Sequence, residues 1–84
     1  MIDDNEFKEL VGNFANCNLP YTVYPKNQLI NVTDRNGVIH SYYAGTGTAM
    51  FRKENGEKAQ KKVIRNFKAS YFGYYCMNPD KIKW

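Results

Sequence analysis

At 84 residues the chain has room for one domain and no more. An apolar share of 43% with 15% aromatic residues excludes disorder, and no run approaches the ~20 apolar residues of a membrane span. The net charge is +4 but uneven: residues 1–18 hold Asp3, Asp4, Glu6 and Glu9 against Lys8, a balance of −3, while residues 19–84 hold the other eleven basic and four acidic side chains, a balance of +7.

The chain starts Met1-Ile2-Asp3-Asp4-Asn5-Glu6, acidic where a signal peptide is basic and then apolar, so a cytoplasmic location is expected. Residues 4–16 read as an amphipathic helix. Phe7, Leu10, Val11 and Phe14 fall at i, i+3, i+4 and i+7 on one face. Asp3 or Asp4 can cap its first backbone N–H groups, and its acidic residues suit the positive end of the helix dipole. Asn16 to Asn18 and Leu19-Pro20 end it, because a residue before proline avoids helical geometry.

A β-rich middle follows. Tyr21-Thr22-Val23-Tyr24 is β-branched and aromatic and closes with Pro25-Lys26-Asn27. Gln28 to Thr33 is a second strand. Asp34-Arg35-Asn36-Gly37 is a hairpin turn in which both Asn36 and Gly37 tolerate positive φ, and Val38 to Tyr43 returns antiparallel. Ala44-Gly45-Thr46-Gly47 turns again, Thr48 to Lys53 is a further strand, and Glu54-Asn55-Gly56-Glu57 is another Asn-Gly turn. The spacing of about ten residues between turns is that of a β-meander. Residues 58–66 fit either a strand or a helix, and strand character to about Arg65 is the natural continuation after a turn. A short helix over 67–77 then faces inward with Phe67, Tyr71, Phe72 and Tyr75, weakened at Gly73 by roughly 1 kcal/mol relative to Ala. Asn78-Pro79 stops it, and Asp80 to Trp84 is a short tail. The fold class is α+β: an N-terminal helix, an antiparallel β-meander of four to five short strands and a short C-terminal helix, with the helices on one face of the sheet.

Little in this chain supports catalysis. Its one histidine, His40, falls mid-strand between Ile39 and Ser41 and is expected at the surface or in hairpin pairing. Cys17, Cys76 and His40 match no structural zinc spacing, so no metal or cofactor is expected. In a reducing compartment the two cysteines read as small buried hydrophobes, with a disulfide tying the ends together as the alternative. Asn31-Val32-Thr33 fits a glycosylation sequon, a chance match without secretion. Gly45-Thr46-Gly47-Thr48-Ala49-Met50 has the look of a phosphate loop. It lacks the third glycine of a dinucleotide fingerprint and the Gly-Lys-Ser/Thr of a P-loop, so it reads as a β-turn.

What remains is charge and rings. Arg52, Lys53, Lys58, Lys61, Lys62, Arg65 and Lys68 place seven basic residues against two acidic ones. On a β-hairpin they line two strands and can neutralise phosphates, with Tyr42, Tyr43 or Tyr71 as stacking platforms. The plain alternative is an edge strand kept soluble by lysine. The aromatic run Tyr71-Phe72-Gly73-Tyr74-Tyr75, with Trp84, holds more rings than a small core easily takes, so Tyr71, Tyr74 and Trp84 are candidates for an interface with an acidic protein or a second copy of the chain.

Asp34-Arg35-Asn36-Gly37, Gly45-Thr46-Gly47-Thr48-Ala49 and Lys53-Glu54-Asn55-Gly56-Glu57, running into a Phe/Tyr-rich C-terminal segment, together resemble small proteins encoded by phages and prophages of low-GC Gram-positive bacteria. The resemblance spans roughly residues 28–77 and carries over no functional residue. It implies an accessory factor that binds host or phage macromolecules. The function expected is a small non-catalytic binding module contacting nucleic acid or an acidic protein surface through residues 52–68. The alternative is a protein-interaction factor, such as a modulator of a host enzyme, acting through the aromatic C-terminal face.

Overall fold

Turn residues set the architecture, and the turns at 34–37 and 44–47 each use a glycine where the backbone needs positive φ. The computed structural model describes residues 3–15, 18–55 and 58–83, with the side chains of 54, 55 and 58 left aside. Between the paired residues Thr33 and Ile39, the Gly37 N–H donates to the Asp34 carbonyl at 3.1 Å with Gly37 at φ +81°. Asn36 keeps a negative φ, so the connection is a turn ending in one left-handed glycine. Between Tyr43 and Thr48, the Gly47 N–H donates to the Tyr43 carbonyl at 2.9 Å, with Gly47 at φ +69°. Gly56 and Glu57 of the third expected turn lie outside the described residues.

These turns join β2 (Leu29–Thr33), β3 (Ile39–Tyr43), β4 (Thr48–Asn55) and β5 (Lys58–Ile64), and β1 (Tyr21–Tyr24) precedes them. The five strands form one antiparallel sheet in the order β1-β2-β3-β4-β5. The stretch that fitted strand or helix is therefore strand. β2 starts one residue later than expected because Gln28 is left-handed, φ +48°, with its N–H on the Pro25 carbonyl.

Helix α1 (Asp4–Ala15) begins where Asp3 accepts the Asn5 N–H at 2.7 Å through its side chain. It buries Phe7 and Phe14, with Leu10 and Val11 half-buried against the core. Helix α2 (Ala69–Met77) starts two residues later than the sequence pattern suggests. Asn66 is left-handed at φ +56°, and the Phe67 N–H donates to the Gly47 carbonyl at 2.7 Å, which holds this segment on the β3–β4 turn. The tail is anchored rather than loose. Pro79–Lys81 forms one 3-10 turn, Ile82 is buried, and the Lys62 ammonium donates to the Lys83 carbonyl. Asp80 also reaches back to the first hairpin, where it accepts from Arg35 and Asn36, each at 3.2 Å. Trp84 lies outside the described residues.

Strand alternation sorts the side chains onto two faces. Ile30, Val32, His40, Tyr42, Ala49 and Phe51 are buried on the face covered by α1 and α2. Phe72, fully buried on α2, is the hub. Its ring lies 5.1 Å edge-on from Phe14, 5.0 Å stacked on Tyr42 and 6.1 Å edge-on from His40. Such pairs add about 0.5–1.5 kcal/mol each beyond area burial. Cys76 is buried beside it, as expected, while Cys17 lies outside the described residues. The opposite face carries Leu29, Ile39, Tyr43, Met50 and Val63 at the alternate positions, none of which joins the core cluster. The helices α1 and α2 leave that second face uncovered, although Ser41 at its centre is buried among its neighbours on the sheet.

Candidate functional site

Period-two alternation sends neighbouring cations in opposite directions, so the seven basic residues do not form one patch. Arg52 is out of phase with buried Ala49 and Phe51 and stands on the open face, paired directly with Lys61 of β5. Both side chains are exposed. Lys53 and Lys62 share the phase of Phe51 and fall on the helix side, where Lys62 pairs with Phe51 and ties down the Lys83 carbonyl. Arg65 and Lys68 are exposed in the segment between β5 and α2. Lys58 pairs with Asn55 in the ladder, and its side chain lies outside the described residues.

The open face combines these two cations with rings. Register aligns Tyr24, Leu29, Tyr43 and Thr48 in one row across β1 to β4, and Thr33, Ile39, Arg52 and Lys61 in another across β2 to β5. Tyr24 is 46% exposed and Tyr43 half-buried, and no described ring pairs with either. Strand spacing puts Tyr24 and Tyr43 about 10 Å apart, and the four residues from Ile39 to Tyr43 separate the rows by about 13 Å. Between the rows the Ser41 hydroxyl donates to the Asn31 side-chain oxygen at 2.6 Å. By register Glu54, opposite Ala59, falls at the same open-face phase as Arg52, and its side chain lies outside the described residues. Two like charges directly opposite on adjacent strands repel, a cost that a bound anion relieves.

Of the other proposed platforms, Tyr42 is withdrawn. It is buried on the helix side, its hydroxyl donates to the Phe67 carbonyl at 2.8 Å, and burial raises its phenol above the ordinary value. Tyr71 was expected to face inward but is 53% exposed, its ring tilted 5.9 Å from Phe67. Tyr74 is 48% exposed, and Met77 one turn on is also exposed. Tyr74 and Met77 edge a groove of about 490 Å³ between the helices, floored by Leu10, Phe14 and Gly73. Tyr75, by contrast, sits between Phe67 and Phe51.

His40 takes the hairpin-pairing placement, opposite Val32, rather than the surface one. Its exposure is 0%, with Phe51 edge-on at 5.2 Å. Its Nε2–H donates to Asp34 Oδ2 at 2.5 Å, while Asp34 Oδ1 accepts the N–H groups of Asn36 at 2.8 Å and Val38 at 3.0 Å. Burial lowers the imidazole pKa below its ordinary value, a shift that the Asp34 hydrogen bond and charge only partly offset. The pair locks the first hairpin to the core, while the other imidazole nitrogen, His40 Nδ1, is buried with no hydrogen-bond partner among the described residues. Among the described residues no group of three or more His, Cys, Asp or Glu side chains is placed to hold a metal ion, and no helix is long and apolar enough to cross a membrane.

No family model matches this sequence, no curated protein is significantly similar to it, and no solved structure matches its fold.

Proposed function

We propose that this chain is a small non-catalytic binding module that takes an anionic macromolecule on its open sheet face. The observation that carries this reading is the direct opposition of Arg52 and Lys61, both exposed, on a face that also holds exposed Tyr24 and half-buried Tyr43. A core-forming sheet gains nothing from opposed like charges, whereas an anion bound between them relieves the repulsion and releases counterions. Arg65 and Lys68 add positive charge just beyond the end of β5 and widen the field that steers an anion to it. The phage-type accessory role fits a module of this kind. The test is binding to random single- and double-stranded DNA at low and moderate ionic strength, with wild type and a paired Arg52→Gln, Lys61→Gln variant. Salt-sensitive binding that the variant weakens about tenfold or more is expected. No binding at low salt removes the reading.

A second reading rests on Tyr71, Tyr74 and Met77, which α2 exposes beside the interhelical groove. Exposed Tyr and Met suit a protein partner, which would make the chain an interaction factor or a modulator of another protein. Binding that is insensitive to salt and lost on Tyr74→Ala favours this reading over the first.

A further inference from the structure

We propose that the anion is a single-stranded nucleic acid whose bases stack on Tyr24 and Tyr43 while its phosphates lie against Arg52 and Lys61. This deepens the anionic-partner reading above and rests on it. The two rows of the open face differ in chemistry. One end of the open face carries exposed Tyr24 and half-buried Tyr43, with which no described ring pairs; the other end, about 13 Å away, carries paired cations. A ligand that uses both ends must carry flat apolar groups and negative charge along one chain. Single-stranded nucleic acid has that chemistry in every residue. A duplex keeps its base faces stacked inside and meets the same surface through phosphates alone, leaving Tyr24 and Tyr43 unused. An acidic protein segment satisfies Arg52 and Lys61 but has no repeated planar group for the tyrosine row. A second copy docked face to face carries no repeated phosphate to set against Arg52 and Lys61.

Nothing here reads base identity. Tyrosine faces accept any base, and point cations accept any phosphate, so binding is tolerant of sequence. The arrangement also separates two energetic contributions cleanly, since stacking lies in one row and charge in the other.

Fluorescence anisotropy with three labelled probes of equal length separates the possibilities: an oligothymidylate of about 12 nucleotides, an abasic oligomer with the same sugar-phosphate backbone, and a duplex. The expected result is oligothymidylate binding about tenfold or more tighter than either of the others. Tyr43→Ser with Tyr24→Ser brings oligothymidylate down to the abasic level and leaves abasic binding unchanged. Tyr43→Phe keeps the ring and retains binding, which distinguishes lost stacking from lost folding. Arg52→Gln with Lys61→Gln weakens all probes together. Equal binding of oligothymidylate and abasic oligomer, unaffected by the tyrosine changes, overturns the stacking proposal while the anionic-partner reading stands. Failure of all three probes at low salt overturns both.

Discussion

His40 and Asp34 stand where the first hairpin meets the core, and their chemistry makes stability depend on pH. Asp34 satisfies three donors from inside the protein, two backbone N–H groups and the imidazole Nε2–H. Asp34→Ala strands all three. A buried donor without an acceptor costs about 1–3 kcal/mol, so the variant is expected to lose about 3 kcal/mol or more in urea unfolding. That is a large share of the ~5 kcal/mol available to so small a domain. His40 adds a signed prediction. Its folded pKa lies below the unfolded value of about 6.5, so below that pH the unfolded chain takes up a proton that the folded chain refuses. Stability is complete above about pH 6.5 and falls as the pH drops toward the folded pKa, by at most about 1.4 kcal/mol per pH unit. As the only histidine, His40 accounts for this window alone. Unfolding at pH 7.5 and 5.5 should show the decline in wild type and flatten it in His40→Gln; equal stability of wild type at both values contradicts the argument. The Ile39-His40-Ser41 environment hides this pair from the sequence. Both Val38-His40-Tyr42 and Ile39-Ser41-Tyr43 contain apolar residues, so alternation alone does not say which set faces the helices.

At the scale of elements, the strands were legible because each is bounded by its own turn residues. Asn36-Gly37 and Gly45–Gly47 announce the hairpins, and the register follows from their lengths. Gly47 illustrates the dependence. At φ +69° an added Cβ is strained, so Gly47→Ala is expected to cost about 1 kcal/mol and lower the thermal midpoint by several degrees. Helix α2 was legible in its body but not in its start. The left-handed Asn66 and the Phe67 bond to Gly47 are contacts between segments about twenty residues apart, and no local pattern encodes them. Of the expected inward set, Phe67, Phe72 and Tyr75 pack in the core, and Tyr71 alone turns out to solvent. Phe72 then touches Phe14, Tyr42 and His40, joining both helices to the sheet through one ring. Phe72→Ala should cost about 3–5 kcal/mol and unfold most of the protein at room temperature, as judged by circular dichroism. A cooperative fold retained at nearly full stability would mean that the hub lies elsewhere.

The whole molecule is a two-sided sheet with helices on one side, and this asymmetry gives the basic stretch its meaning. The cluster of charge was visible in the sequence, and so was the period of two that splits Arg52 from Lys53 and Lys61 from Lys62. Which half faces outward was not visible, because that depends on where α1 and α2 dock. The alignment of Tyr24 with Tyr43, two strands apart, likewise needed the complete strand order. The lysines on the helix side have other work, as Lys62 shows by holding the tail. The proposed function requires the uncovered face to be the binding face. Backbone amide shift mapping by NMR during titration with oligothymidylate tests it most directly. The account predicts the largest perturbations at Tyr24, Asn31, Tyr43, Arg52 and Lys61, with α2 little changed. Perturbations centred on Tyr71, Tyr74 and Met77, with the open face silent, would contradict it.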